Sequence, residues 1–300
     1  MDEYRKPGAP APTLRTGLTT SPPSREGGAR EFSFSVADFE RVRKLIYQHA
    51  GISLSPVKQD MVYSRLARRL RATGMQSFGQ YLDALEKNGG EEWERFVNSL
   101  TTNLTSFFRE PHHFPIFAEH LRKLGTKRPV RVWCSAASTG EEPYSIAMTV
   151  AETFGSNVSH ISIMASDLDT NVLATAQKGV YPIERVEKLS PDRLHKFFLR
   201  GTGSQEGYVS VRPELKRMIE FQRINLLDSM YSAKGPLDVI FCRNVMIYFD
   251  KPTQYKILSR FAPMLQPDGL MFAGHSESFL HASDLFKSLG KTVYALASTR

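Results

Sequence analysis

The chain has 300 residues, 41% of them apolar, with 19 Phe and 11 Tyr, and a formal net charge of +8. That composition suffices for one large or two modest cored domains and excludes a disordered or fibrous chain. Only two cysteines, Cys134 and Cys242, occur, both inside apolar runs, which speaks against a disulfide scaffold and for a reducing, cytoplasmic compartment. No run of about 18 apolar residues is present, so no membrane insertion is expected.

Residues 1–32 carry proline, glycine, serine and scattered charge without the apolar core of a signal peptide, and are expected to be a disordered tail. From 33 to 108 the pattern is helical. In "VADFERVRKLIYQHAG", Phe39, Val42, Leu45 and Ile46 share one face and Gly51 closes the helix. "SPVKQDMVYSRLARRLRATG" places Val57, Met61, Leu66 and Leu70 inward and gathers Lys58, Arg65, Arg68, Arg69 and Arg71 on the remaining surface before Gly74. "SFGQYLDALEKNGG" and "EEWERFVNSLTTNL" complete a small helical bundle.

Residues 109–300 change character. "VRVWCSA", "ISIMASD", "LDVIFCR" and "GLMFAGH" are short, nearly continuous apolar runs alternating with helical patterns, as expected of an α/β sheet buried on both faces. The Gly-rich stretch at about 197–224 interrupts the alternation and predicts a small antiparallel insertion.

In an open α/β sheet, ligands lie beyond the carboxyl ends of the strands, near the first strand-to-helix turn. Here that turn, within "VWCSAASTGEEPYSIAM", has small residues followed by Glu141 and Glu142, and neither GxGxxG nor GK[ST]. Carboxylates at a helix start repel a pyrophosphate and favour a cationic ligand, so S-adenosylmethionine, with its ammonium and sulfonium, fits better than a dinucleotide. The plain alternative is that these acids only complement the helix dipole. "IMASDLDTNVL" ends the next strand with Asp167, near the ~20-residue spacing at which an acid meets a ribose diol, whereas Asp169 is expected to cap the following helix.

Together with "ASTGEEPYSIAM", the strings "NLTSFFREPHHF", "SDLDTNVLATAQKGVYP" and "FCRNVMIYFD" resemble the chemotaxis receptor methyltransferases of the CheR type, and the resemblance runs from about residue 33 to 297. It implies a Rossmann-like class I methyltransferase sheet preceded by a small all-α domain. It also implies methyl transfer from S-adenosylmethionine to glutamate side chains on the cytoplasmic methylation helices of chemoreceptors, leaving S-adenosylhomocysteine. The matching cofactor positions are Asn103, Thr105, Arg109, Glu142, Asp167, Asn225, Leu226, Arg243 and Asn244. Arg109 and Tyr248 match the reacting centre. Adjacent acids at one helix start leave Glu141 and Glu142 unordered, and Arg109 suits the substrate glutamate or the methionyl carboxylate of the cofactor equally.

A glutamate is already ionised at neutral pH, so the reaction calls for positioning and desolvation and no elaborate acid–base set. Adjacent His112 and His113 point apart on a helix and lack ligand spacing, so no metal is expected. The basic set Lys58, Arg65, Arg68, Arg69 and Arg71 is expected to dock the acidic receptor helices. It has no interleaved aromatic platform for nucleic acid. The resemblance also allows a receptor's C-terminal peptide to bind at the insertion as an added strand. Competing readings are a cofactor-sensing module without turnover, a nicotinamide oxidoreductase and a nucleic-acid methyltransferase. Methyl-ester formation and S-adenosylhomocysteine binding discriminate against them.

Overall fold

The structure is a computed structural model that describes residues 30–126, 128–233 and 235–297. Most of the expected tail therefore lies outside the described residues. A reciprocal capping pair between Ser35 and Asp38 starts α1 (Val36–Ala50), which buries Phe39, Val42, Leu45 and Ile46. It ends on Gly51 at φ 69°, a left-handed conformation that favours glycine. α2 (Gln59–Thr73) buries Val62, Leu66 and Leu70 and closes on Gly74, and α3 (Phe78–Asn88) and α4 (Gly90–Leu100) pack with it. Each such fully buried aliphatic or aromatic side chain contributes roughly 1.5–3 kcal/mol.

One inward assignment needs correction. Val57 is 85% exposed, whereas Met61 is partly buried and packs against the helical core. Pro56–Lys58 form a 3₁₀ turn ahead of the helix, and its three-residue period takes Val57 out of register with the α2 face.

α5 (His113–Leu124) leads into β1 (Val130–Cys134), α6 (Glu141–Phe154), β2 (Ile161–Asp167) and α7 (Thr170–Lys178). Then follow β3 (Val180–Pro182), α8 (Pro191–Phe197), β4 (Phe198–Arg200), β5 (Tyr208–Val211), α9 (Pro213–Lys216) and β6 (Ile219–Arg223). β7 (Leu237–Cys242), α10 (Lys251–Phe261), β8 (Leu265–Ala273), β9 (Phe286–Gly290) and β10 (Val293–Leu296) complete the chain. Among the described residues, seven strands form one sheet in the order β6-β2-β1-β7-β8-β10-β9. The first five run parallel, while β10 is antiparallel to both its neighbours.

β1 is flanked by β2 on one side and β7 on the other, so the strand order reverses there and opens a crevice at the carboxyl ends. The parallel strands read as continuous apolar runs because both faces are covered: every residue of β7 is buried.

A separate three-stranded antiparallel sheet has the order β3-β5-β4. Its extent differs from the expected 197–224. It begins earlier, at Val180, and Ile219–Arg223 belongs to the large sheet, paired in register with Ile163–Asp167. An edge strand and a hairpin strand share the same period of two, so alternation alone does not say which sheet receives it.

The helical layer docks on the crevice end of the sheet. Tyr47 Oη donates to Asp250, Asn225 Nδ2 to the His49 carbonyl, and the Ser53 N–H to the Tyr248 carbonyl. Among the described residues, no helix is long and apolar enough to cross a membrane.

Candidate S-adenosylmethionine site

The crevice between the two layers is a cavity of about 480 Å³, within the usual range for small-molecule sites. Asn103, Thr105, Arg109, Glu142, Asp167, Asn225, Leu226, Arg243, Asn244 and Tyr248 all line it. Residues scattered over almost 150 positions of sequence thus meet around one space. The helical layer adds Ile52, Leu54, Lys58 and Met61 to the wall. Sequence reasoning missed Ile52, Leu54 and Met61 as site residues, because apolar side chains on that layer carry no local sign of which surface they will face.

The turn after β1 is shaped by its backbone. Gly140 stands at φ 100°, and a Cβ there would lie 2.7 Å from Tyr181 Oη and 2.8 Å from Ala176 Cβ, so close packing requires glycine. Ser138 also adopts a positive φ, 48°, and its N–H donates to Asp167 Oδ2 at 2.8 Å. The second Asp167 oxygen accepts from the Asp169 N–H at 3.0 Å. Burial pushes the Asp167 pKa up to about 6 against these backbone bonds. Asp169 caps α7 by accepting from the Asn171 N–H, and it also accepts from Thr101 Oγ1 and Asn103 Nδ2, both at 3.0 Å. The Asn103 amide is therefore held by the cap of α7.

The two neighbouring glutamates part company. Glu141 points away from the cavity, is bound by Arg185, and accepts from Thr139 Oγ1 at 2.6 Å. Glu142 lines the cavity, with Oε2 2.6 Å from Arg243 Nη1 and Oε1 accepting from Cys134 Sγ at 3.4 Å. Burial raises the Glu142 pKa against the pull of the Arg243 charge. Arg243 is itself buried and also donates to the Arg109 carbonyl, so β7 and the segment before α5 share one guanidinium.

Asn225 Oδ1 accepts from the Leu227 N–H at 3.0 Å, a local Asx turn that presents Leu226 beside Ile224 and Leu168 as an apolar wall. Across the cavity, Arg109 Nη1 donates to the Leu104 carbonyl at 2.7 Å. The Tyr248 hydroxyl donates to the Thr102 carbonyl at 3.2 Å, and burial raises its pKa, so it is a neutral donor at pH 7.

Glu110, His112 and His113 bring ligand-type atoms within 4.8 Å of one another. Arg243 Nη2 already lies 3.3 Å from Glu110 Oε2, a cation that would repel a metal ion. Burial would raise Glu110, but hydrogen bonds from His275 and the Arg243 charge outweigh it and hold the carboxyl at about 2. His113 is fully buried, bonded through Nε2 to the Lys291 carbonyl, and held down at about 4 by burial and Arg243.

The basic face of α2 is less free than its sequence suggests. Arg69 makes two bonds to Glu92, at 2.9 and 2.7 Å, Arg71 binds Glu31, and Arg65 donates to the Thr101 carbonyl at 2.6 Å. Lys58, Arg68 and Arg71 remain exposed, the last within its pair to Glu31. The partners come from α4 and from the segment before α1, at separations that no helical spacing reveals.

Two family models match consecutive stretches: "CheR methyltransferase, all-alpha domain" over residues 37–101 and "CheR methyltransferase, SAM binding domain" over 103–295. The chemotaxis protein methyltransferase of Escherichia coli (strain K12) is 54% identical over 266 residues, covering 88% of this chain and 92% of that protein. That of Salmonella typhimurium is 52% identical, covering 94% of this chain and 100% of its own length. Chemotaxis protein methyltransferase 2 of Pseudomonas aeruginosa is 52% identical, covering 93% and 100%. The all-α layer and the sheet-bearing layer thus coincide with the two matched domains, and the chain belongs to the CheR methyltransferase family.

Proposed function

We propose that the chain transfers a methyl group from S-adenosylmethionine to glutamate side chains in the cytoplasmic part of chemoreceptors, forming methyl esters in sensory adaptation. The observation that carries this reading is the cavity itself: a buried Glu142 in the first turn of α6 and a part-buried Asp167 at the carboxyl end of β2, with Arg109 and Tyr248 also in its wall. The residues fit the cofactor. Asp167 suits a ribose diol, Leu226, Ile224 and Leu168 suit an adenine face, and Glu142 keeps that end electrostatically hospitable to an ammonium. When bound, the cofactor supplies an electrophilic methyl group on a sulfonium.

The chain's own residues do the rest. Arg109 offers a fork to a carboxylate, that of the substrate glutamate or the methionyl group, and Tyr248 offers one hydroxyl donor to orient it. Ile52, Leu54 and Met61 of the helical layer, which joins Tyr248 through the Ser53 N–H, help strip water from the attacking anion. No proton needs to move, because the glutamate reacts ionised, and we assign no metal to the reaction.

Among the described residues, Lys58 and Arg68 are the unpaired cations of this basic face left to meet an acidic receptor helix, with Arg71 exposed beside them in a surface pair with Glu31 and Arg65 and Arg69 holding the docking layer together. The small sheet has β3 and β4 at its edges, with Val180 and Leu199 exposed, and accommodates a receptor's C-terminal peptide as an added strand. The enzyme acts in the cytoplasm, without nucleic acid.

The test combines two measurements. S-adenosylhomocysteine and NAD are titrated separately by calorimetry, with Asp167→Ala as control. Methyl transfer from labelled cofactor to a chemoreceptor cytoplasmic fragment is then read as base-labile methanol. Binding of S-adenosylhomocysteine alone and a base-labile product are expected; binding of NAD, or a base-stable label, would overturn the reading.

A further inference from the structure

The loop after β7 supplies Arg243, Asn244, Val245, Ile247 and Tyr248 to the cavity wall, yet its only regular element is the 3₁₀ turn Met246–Tyr248. Asn244 stands at φ 58°, a left-handed conformation that asparagine tolerates better than other side-chain-bearing residues and that sets the direction of the loop.

One carboxylate does much of that work. Glu277, in the segment after β8, is 5% exposed and does not line the cavity. Its Oε2 accepts from the Asn244 N–H at 3.0 Å and the Gly274 N–H at 2.5 Å, and its Oε1 accepts from the Met246 N–H at 2.7 Å. The Asn244 and Met246 ends of this left-handed stretch are thereby tied to the end of β8. From the other side, Glu110 Oε1 accepts from Asn244 Nδ2 at 3.2 Å. Gly274 closes the cage, since a Cβ there would lie 2.3 Å from Asn244 Nδ2 and 2.9 Å from the Asn244 nitrogen. Burial raises the Glu277 pKa, while these N–H donors favour its ionised form. A glutamine cannot replace it: one of its two polar atoms is a donor and would face an N–H.

We infer that Glu277 is a positioning residue for methyl transfer, holding Asn244 and Tyr248 at the cavity wall through the backbone of their loop. The inference rests on the proposed function, in which Tyr248 meets the reacting carboxylate. Misplacing a reacting group by about 1 Å costs on the order of 100-fold in rate, so this loop has little tolerance.

The experiment uses Glu277→Gln and Gly274→Ala, singly and together, in the full chain. It measures kcat on a chemoreceptor cytoplasmic fragment, the Kd of S-adenosylhomocysteine, and thermal stability. Each single variant is expected to lower kcat per folded molecule about 10- to 100-fold, with Kd rising less than about 10-fold because the Asp167 and Glu142 side is untouched. The double variant should be no worse than the worse single, since both act on one loop. A kcat within about 2-fold of wild type, a loss carried wholly by Kd, or additive losses would each overturn the positioning role. If Glu277→Gln does not fold, Gly274→Ala decides by the same kcat criterion. A wild-type chain that transfers no methyl group overturns the proposed function and this role with it; an active wild type with indifferent variants overturns this role alone.

Discussion

Arg243→Ala removes the guanidinium on which the cavity floor converges. Its side chain is fully buried and serves Glu142 at 2.6 Å, Glu110 at 3.3 Å and the Arg109 carbonyl. Without it, Glu142 keeps only the weak Cys134 thiol donor, and a buried carboxylate is left uncompensated. Breaking one side of such a pair costs about 3–5 kcal/mol, which for a chain of this size lowers Tm on the order of 10 °C. The sign of the pH dependence follows. Burial already holds the folded Glu142 pKa above its unfolded value, and loss of Arg243 raises it further, so the folded variant binds a proton that the unfolded chain releases. Its stability deficit should therefore grow as pH rises through the neutral range. Urea unfolding of both proteins at pH 6 and pH 8 measures this. A deficit below about 1 kcal/mol at pH 8, or one that grows on acidification, would refute the argument.

Other outcomes follow from the same contacts. Arg109→Ala should lower kcat at least about 100-fold while leaving Tm within about 2 °C, because among the described residues its side chain makes one backbone hydrogen bond and no ion pair; circular dichroism melts beside the methanol assay check this. Asp167→Ala should weaken S-adenosylhomocysteine at least about 10-fold at pH 7.5. In the wild type, affinity should fall as pH drops through about 6, where Asp167 takes up a proton and stops accepting from the ribose, and calorimetry should find that slope missing in the variant. Reversing Lys58 and Arg68 to glutamate should raise the KM for receptor fragment and flatten its salt dependence without changing Tm. Arg69→Ala should instead destabilise the helical layer by about 1–3 kcal/mol, since Glu92 would lose both its short charged bonds and keep the Tyr81 hydroxyl and a distant Arg95 at 3.9 Å.

Local signals were readable where a short stretch contains the whole cause. Gly51 and Gly74 end helices in left-handed conformations, and Asp169 caps α7 within its own turn. The apolar runs of β1, β2, β7 and β8 are strands for the same reason. Placement failed where the deciding contact is distant. Ile219–Arg223 alternates like a hairpin strand but pairs with β2, and Arg69 looks like a free surface charge until α4 brings Glu92 against it.

The sequence by itself determined the helical layer ahead of an α/β sheet, the acidic non-phosphate turn after β1 and, through its long matching strings, the family. Only the tertiary structure decided that Glu142 and not Glu141 lines the cavity, that Arg243 sits between Glu142 and Glu110, and that Glu277 holds a loop 33 residues away. The reason is one of range. Periodicity, caps and turns are set by neighbours within a few residues, whereas the burial and pairing of a charge depend on which distant element is packed against it.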